Sequence, residues 1–381
     1  MIRSGRMSNK YLVKLRPMGS FFFGSEKTFG LGEDNEHYII QSECFPQQTS
    51  ILGMIRKEIL IIKKLIRNDW NYSKARDKVD KLIGSKSFDI NLKGKQNFGV
   101  IEKVHPVFIR KENKYLISIP KDHKIEEADK EINKKYTPYK FYEKSKCKIS
   151  FQNKKEDEKK VYIPYDYKCK IGLASGFIDK DKNVINFDDV FKEDKQIGIR
   201  LKKNKQTSED GLYKIIRYRL KNNCEFVFNL DINFDEYFKE VDLNGYNNIV
   251  SLGGEGSYFK ISFQKVDEYI IDNFKDISSS HKKDIYRKII LLSNTYISKE
   301  QYDEYCDYGI INGITFRNLK TDYSEFEVKV KGKYYNKFKK TDKYMFLEKG
   351  SVLFSKFNYE KLEAKIKNNS NVRNIGYNEY I

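Results

Sequence analysis

The sequence predicts an α+β protein, because strand patterns alternate with helical patterns along its 381 residues. A strand is followed by a helix and further strands, and a similar set recurs in the second half of the chain. This order is typical of ferredoxin-like (RRM-like) units, and two of them fit the chain length. We expect an N-terminal domain over 8–170, with a Lys- and Tyr-rich insertion at about 120–165, and a C-terminal domain over 171–381.

The first half contains the clearest elements. Tyr11 to Arg16 predicts a strand that ends in a turn at Pro17 and Gly19. Thr49 and Ser50, two residues that favour helix N-caps, precede an amphipathic helix. Its apolar side holds isoleucines at helical spacing, and its basic flank holds Arg56, Lys63 and Arg67, with Lys57 and Lys64 beside them. Further strands are predicted over 98–119.

The second half predicts more strands than helices. Residues 212–220 and 225–232 indicate a β-hairpin around Asn222 and Asn223. Residues 280–293 indicate a helix, with a strand beginning at Ile289 as the alternative. The remaining predictions are strands at 197–201, 249–263 and 326–354, and helices at 234–241 and 359–367.

The charge balance indicates a polyanionic partner. The chain has 73 basic and 54 acidic residues, a net charge of +19. Self-repulsion from such a surplus is relieved when a polyanion binds. Nucleic acid is the first candidate and an acidic protein is the second, while a generally basic proteome would explain the charge without any partner. The basic residues are mostly lysines, which act as point charges on phosphates.

Residues able to perform catalysis or bind metals are sparse. The five cysteines include no Cys-x-x-Cys pair, which fits reduced thiols in a cytoplasm. The four histidines are not spaced as metal ligands, and only His37, in a glycine-rich segment, is a candidate acid or base. The acidic pairs Asp188-Asp189 and Glu209-Asp210 lack further oxygen ligands. No cofactor, metal or membrane segment is therefore expected.

Two segments suit an RNA strand. Gly253 and Gly254 lie in a glycine-rich loop whose amides are able to approach a phosphate, although a plain tight turn explains the glycines equally well. Residues 329–343 mix lysines with aromatic residues, a pattern that suits single-stranded RNA. An edge hairpin protected by lysines is the alternative for that segment.

Four segments occur in the order of a known family. They are Phe-Pro-Gln-Gln-Thr-Ser-Ile-Leu-Gly-Met-Ile-Arg at 45–56, Ile-Gly-Ile-Arg at 197–200 with Glu-Asp-Gly-Leu-Tyr at 209–213, Ser-Leu-Gly-Gly-Glu at 251–255, and Lys-Gly-Ser-Val-Leu at 349–353. Together they resemble the RAMP superfamily of CRISPR proteins. Within it they are most similar to the Cas-five-like family of third subunits of type III-B (Cmr) effector complexes. In contrast to the family's glycine-rich C-terminal loop, only Gly376 and Tyr377 remain here.

The resemblance implies a non-catalytic subunit of a cytoplasmic, RNA-targeting antiviral ribonucleoprotein. It implies that the chain holds the 5′ repeat-derived tag of the crRNA at the foot of the complex. Its neighbours would be the large Cas polymerase-like subunit and the backbone RAMP subunit. The residues carried over by position, together with the basic flank of the helix, are Gln47, Thr49, Ser50, Gly53, Arg56, Lys57, Lys63, Arg67, Gly253, Gly254, Lys349, Gly350 and Ser351.

Three alternatives remain open at this stage. A metal-independent, repeat-processing endoribonuclease of the RAMP superfamily would use His37. A protein scaffold would meet acidic neighbours and bind no RNA. A counterpart from a type III-D complex would share the same motifs.

Overall fold

The structure, a computed structural model, describes residues 8–24, 38–66, 76–125, 135–139, 141–149, 157–164, 172–201, 207–234, 241–279, 286–321, 327–330, 333–336 and 338–381. The helices are α1 (Gln48–Ile62), α2 (Arg76–Ile83), α3 (Lys275–Ser279), α4 (Lys299–Tyr305), α5 (Tyr359–Lys367) and α6 (Ser370–Asn374). The strands are β1 (Asn9–Pro17), β2 (Tyr38–Gln41), β3 (Ile101–Val104), β4 (Phe108–Lys111), β5 (Lys114–Ser118), β6 (Phe141–Ile149), β7 (Asp157–Pro164), β8 (Phe177–Ile178), β9 (Val184–Ile185), β10 (Phe191–Leu201), β11 (Thr207–Leu220), β12 (Cys224–Ile232), β13 (Asn247–Ser251), β14 (Tyr258–Lys265), β15 (Arg287–Ile290), β16 (Tyr308–Ile310), β17 (Gly313–Phe316), β18 (Leu319–Thr321), β19 (Glu327–Val330), β20 (Lys333–Asn336), β21 (Phe338–Lys340), β22 (Tyr344–Leu347) and β23 (Val352–Ser355).

A nine-stranded sheet forms the centre of the described chain, in the order β13-β14-β1-β12-β4-β5-β8-β9, with β3 also paired to β12. Strand β1 is antiparallel to both β12 and β14. The chain between β1 and β3 contains α1, and β12 lies between these two strands in the sheet. This is the arrangement of a split β-α-β unit.

A smaller sheet near the C-terminus repeats that arrangement. Its order is β15-β23-β16, both pairings are antiparallel, and α4 connects β15 to β16. The last residue continues the sheet, because Ile290 and Ile381 exchange two backbone hydrogen bonds of 2.9 and 3.0 Å.

The predicted α+β class is confirmed, and the sheets are mostly antiparallel. The predicted division at residue 170 stays a prediction, and the large sheet joins strands from both sides of it, because β12 and β14 pair with β1. Strands β6 and β7, inside the predicted insertion, pair with each other and with no other described strand. The extent of the insertion also stays a prediction.

The main core lies between the large sheet and α1. Alternate residues of β1 point to the same face, so Tyr11, Val13 and Leu15 all pack in this core with Ile51 and Ile55 of the helix. Each fully buried side chain of this size contributes roughly 1.5–3 kcal/mol. The opposite sheet face packs in a second cluster that includes Leu12, Val227, Phe274, Ile277 and Phe354.

Helix α1 differs from the prediction at both ends. It begins at Gln48 with Gln47 as N-cap residue, so Thr49 and Ser50 lie inside the first turn. It ends at Ile62 rather than near Arg67, because Lys64 adopts a left-handed φ of 55° and the Leu65 amide donates to the Leu60 carbonyl at 2.8 Å. This pattern closes a helix C-terminus.

The predicted hairpin of residues 212–232 is wrong. Asn223 does form a turn, with φ of 64°, but β11 pairs with β10 and β2, whereas β12 pairs with β1, β3 and β4. Nearly every residue of β12 is buried, so it lies between other strands.

The helix predicted over 280–293 is wrong at its C-terminal part. Residues 287–290 form β15, which pairs with β23, so the strand alternative is the better description there. Helix α5 and strands β1, β13 and β14 lie where they were predicted. The predicted helix at 234–241 lies almost entirely outside the described residues. Among the described helices, none is long and apolar enough to cross a membrane.

Candidate nucleic-acid site

A cavity of about 640 Å³ opens beside the start of α1. Several segments that are distant in the sequence meet there, among them the N-terminal end of the helix, the turn after β22, and the C-terminal segment. The residues that line the cavity include Phe45, Gln47, Asn294, Asn312, Lys349 and Tyr377. The structure therefore brings together Gln47 and Lys349, two residues that the sequence resemblance selected.

Lys349 is the principal cation of this cavity. Its Nζ lies 2.6 Å from the centroid of the Phe45 ring, and its backbone amide donates to Asn294 Oδ1 at 3.0 Å. Burial lowers the pKa of Lys349 well below its ordinary value, and the charge of Glu348 opposes this shift. Glu348 itself pairs with Lys121 at 2.8 Å. An anion that entered the cavity would favour the charged form of Lys349.

The two residues after Lys349 lie in the interior. The Gly350 amide donates to the Leu291 carbonyl at 2.7 Å. The Ser351 hydroxyl accepts a hydrogen bond from the backbone amide of Asn312 at 3.3 Å. Both residues hold the turn that carries Lys349, and neither lines the cavity.

Tyr377 caps the start of α1. The backbone amides of Gln48 and Thr49 hydrogen-bond to its hydroxyl, while burial raises the pKa of Tyr377. These are amides that a helix N-terminus leaves without an intrahelical partner. In this conformation a buried tyrosine hydroxyl occupies these amides, and an RNA contact at Thr49 and Ser50 stays a prediction.

Gly376 makes this cap possible. Its φ is +91°, and a Cβ at this position would lie 2.5 Å from Gln48 Nε2 and 2.9 Å from the His105 carbonyl carbon. The Gln48 side chain donates to the carbonyls of both His105 (3.3 Å) and Gly376 (3.2 Å). The C-terminal residues Gly376 and Tyr377 thus pack directly on α1.

The basic flank of α1 does not line the cavity. Ser50, Gly53 and Lys57 are exposed. Arg56 is half-buried, donates from Nη1 to the Lys86 carbonyl at 3.1 Å, and lies 5.6 Å from the Phe98 ring centroid. Thr49 bonds locally, from Oγ1 to Gln47 Oε1 at 3.5 Å.

The last positions of that flank lie beyond the regular helix. Lys63 is the C-cap residue of α1, with its Nζ 4.8 Å from the Phe234 ring centroid, and burial lowers its pKa. Arg67 lies outside the described residues.

The loop that contains Gly253 and Gly254 is separate from both the cavity and the basic flank of α1. The Gly254 amide donates to the Phe22 carbonyl at 2.8 Å, so it is already engaged within the chain. A Cβ on Gly253 would lie 2.3 Å from the same oxygen. The close approach of Phe22 therefore explains Gly253, whose φ is +89°, and the role of both glycines in RNA binding stays a prediction.

No catalytic cluster is evident among the described residues. His37 and His281 lie outside them. His105 is buried, with Nε2 3.0 Å from Asp231 Oδ2 and its ring stacked on Tyr269 at 4.5 Å. Asp188 and Asp189 are exposed. Within the described ranges, no group of three or more His, Cys, Asp or Glu is placed to hold a metal ion.

Sequence reasoning missed several lining residues. Asn294 and Asn312 carry no motif, and only the fold brings them to Lys349. Phe45 lies inside the first family segment but was not selected. Tyr377 was noticed only as a remnant of a loop, although its position after Gly376 was the available signal.

The fold and the cavity define a basic α+β protein in which the predicted RNA-binding segments partly converge. Residues 13–381 match the family of CRISPR-associated proteins described as Cas_Cmr3, and the chain belongs to this family. This confirms the resemblance to third subunits of Cmr complexes. No match is found among curated proteins.

Solved structures of Cmr complexes contain similar chains. One is the cryo-EM structure of the Type III-B Cmr-beta complex bound to cognate target RNA and AMPPnP, in state 1, with a TM-score of 0.48, 17% identity, and coverage of 98% of this chain and 96% of that chain. The complex bound to cognate target RNA gives the same values. The apo Cmr-beta complex gives a TM-score of 0.26 and 12% identity, over 69% of this chain and 98% of that chain.

Proposed function

We propose that this chain is the subunit that holds the 5′ repeat-derived tag of the crRNA at the foot of a cytoplasmic type III-B Cmr complex, without cutting RNA. It docks the large Cas polymerase-like subunit and the backbone RAMP subunit. Family membership and the charge of +19 support a place in an RNA-containing particle.

The cavity beside α1 carries the proposal. Its 640 Å³ lies within the range of about 300–1,000 Å³ that ligand pockets span. Lys349 supplies a cation whose buried charge a phosphate would stabilise, Phe45 supplies an aromatic ring, and Asn294 and Asn312 supply amides for base edges. One unstacked nucleotide of the tag enters this cavity.

We also infer that the two ferredoxin-like units follow the strand orders of the two split β-α-β arrangements. The first unit contains β1, α1, β3 with β4, β12 and β14. The second contains β15, α4, β16, β23, α5 and the final residues. This moves the predicted domain boundary from residue 170 to the segment between Lys265 and Arg287.

The test uses the full chain and a labelled RNA that carries the repeat-derived tag. Lys349→Met removes the buried cation and should weaken binding about tenfold, the size of one charge-assisted contact. Gln47→Ala should weaken it less. Lys361→Gln, on the exposed surface of α5, is the matched control and should bind like the wild type. Equal affinity of Lys349→Met and wild type would refute the cavity assignment.

The absence of cleavage is tested separately. The purified chain is incubated with repeat RNA without metal, and the RNA should remain intact. Site-specific cleavage that is lost in His37→Ala would replace this proposal with the endoribonuclease alternative.

A further inference from the structure

One face of the large sheet is covered at one end and open at the other. Leu12 points to this face and is buried against the second core cluster. Further along the same strand, Lys14 is half-buried and Arg16 is exposed. Leu12 shares this cluster with Ile277 of α3 and Phe354 of the C-terminal sheet. The far end of the face is open to solvent.

The strand register defines which side chains share the open end. Arg16 is opposite Lys260, and Lys260 is opposite Ile249 on the edge strand β13. Tyr258 lies two residues from Lys260 on β14, so it points to the same side, about 7 Å away. The Met18 amide donates to the Tyr258 carbonyl at 3.0 Å, which places Met18 beside it. We call this group the open sheet face: Lys14, Arg16, Met18, Ile249, Tyr258 and Lys260.

The open sheet face has surplus positive charge. Arg16, Lys260 and Lys14 form no ion pair with a described carboxylate, and Lys14 bonds only the neutral Gln264 side chain at 2.9 Å. Glu225 precedes Phe226, the strand partner of Leu15, and it pairs with Arg110 at 3.0 Å. In the adjoining loop, Glu255 lies 3.7 Å from Arg217.

An aromatic ring is available in the middle of these cations. Tyr258 is 55% exposed. Aromatic rings on a sheet surface stack on unpaired bases, and flanking lysines and arginines follow the phosphates. The core of a protein interface, by contrast, is depleted in lysine. The combination therefore favours a single nucleic-acid strand over a protein.

We propose that the open sheet face is a second binding site for single-stranded RNA, separate from the cavity beside α1. Tyr258 stacks on a base, while Arg16, Lys260 and Lys14 neutralise phosphates. The site reads no sequence, because stacking and phosphate contacts are available in every RNA.

The test measures the affinity of the full chain for a labelled oligouridine of about 15 nucleotides, which contains no repeat sequence and is long enough for such a site. Tyr258→Ala should weaken binding about tenfold, the lower-middle range for loss of one stacked base. The double variant Arg16→Gln/Lys260→Gln should lower the slope of log affinity against log salt by about 1.4, since each phosphate contact on a single strand contributes about 0.7.

Matched controls come from the C-terminal surface. Phe357→Ala removes another exposed ring and Lys361→Gln another exposed cation, and both should bind oligouridine like the wild type. The cavity assignment is tested with different variants, Lys349→Met and Gln47→Ala, and with a different RNA, the one that carries the tag. A failure of the cavity assignment, measured on tag RNA, is thereby distinguished from a failure of this second site.

Three outcomes would overturn the second site. They are absence of oligouridine binding by the wild-type chain, wild-type affinity of Tyr258→Ala, and an equal loss in the control variants. If Tyr258→Ala bound RNA normally but no longer assembled with other subunits, the open sheet face would be a protein-docking surface instead.

Discussion

The cavity beside α1 and the open sheet face present cations in opposite ways. In the cavity, Lys349 lies against Phe45 and burial lowers its pKa, while a tyrosine hydroxyl occupies the amides at the start of α1. On the sheet, Arg16, Tyr258 and Lys260 already extend into solvent. The cavity is an enclosed site in which polar groups are largely satisfied. The sheet face is preformed and needs no rearrangement.

This difference predicts two kinds of binding. A nucleotide in the cavity has to compete with contacts inside the protein, so binding there depends on shape and on protonation. A strand on the sheet face depends mainly on salt. Four measurements of stability and RNA content test this difference between the two regions.

The largest effect is expected from Gly376, which packs on α1 beside the cavity. Gly376→Ala should destabilise the chain by about 3 kcal/mol, because the new methyl group meets Gln48 and His105 and a left-handed φ is strained. Gly256→Ala, in the loop beside the sheet face, has φ of +69° but open space, so it should lose only about 1 kcal/mol. Urea unfolding measures both, and equal losses would show that the cavity wall is not tightly packed.

The next effect comes from the tyrosine cap. Tyr377→Phe leaves the amides of Gln48 and Thr49 without their acceptor and should cost about 1–3 kcal/mol. Tyr258→Phe, on the exposed sheet face, should stay within about 0.5 kcal/mol of the wild type. The same unfolding experiment checks the pair. If Tyr377→Phe left the free energy of unfolding unchanged, water or RNA groups would have to accept hydrogen bonds from the amides of Gln48 and Thr49.

A smaller effect is expected from Arg56, which belongs to neither region. Arg56→Ala removes the hydrogen bond to the Lys86 carbonyl and the contact with Phe98, at a cost of about 1 kcal/mol. It should also lower the crRNA content of the purified complex. Lys361→Ala serves as control, and unchanged RNA content in Arg56→Ala would remove this residue from the binding site.

The smallest effect is a pH dependence from Lys349. Its folded-state pKa is lowered, so between that pKa and the ordinary value of 10.5 the unfolded chain binds more protons than the folded chain. The stability of the wild type should therefore rise with pH in this window. Lys349→Met lacks this slope and should be more stable by roughly 0.5–1 kcal/mol near neutral pH. Urea unfolding of both chains across neutral to mildly alkaline pH measures the difference, and a difference independent of pH would contradict the lowered pKa.

Elements with strong local periodicity were predictable from sequence. The isoleucine spacing indicated α1, and the pattern of residues 359–367 indicated α5. Helix ends were less predictable, because Lys64 adopts its left-handed conformation only with the Leu65–Leu60 hydrogen bond in place. Residues 280–293 stayed ambiguous, since a short apolar run suits a buried helix and a buried strand alike.

The candidate site likewise contains residues that were predictable from sequence and residues that were not. Gln47 and Lys349 were selected from sequence segments and do meet in one cavity. Gly253 and Gly254 were selected as phosphate contacts; the Gly254 amide donates to the Phe22 carbonyl, and an RNA contact at either glycine stays a prediction. Asn294 and Asn312 were missed because nothing in their local sequence distinguishes them from other loop asparagines.

Composition, short-range spacing and motif order were enough to predict the α+β class, the amphipathic first helix, the basic character of the chain and its family. The folded chain was needed to show that β12 pairs with β1 and not with β11, that Tyr377 caps α1, and that Lys349 lies buried against Phe45. The physical reason is that strand partners and buried contacts join residues far apart in the chain, where no local pattern specifies which surfaces will meet.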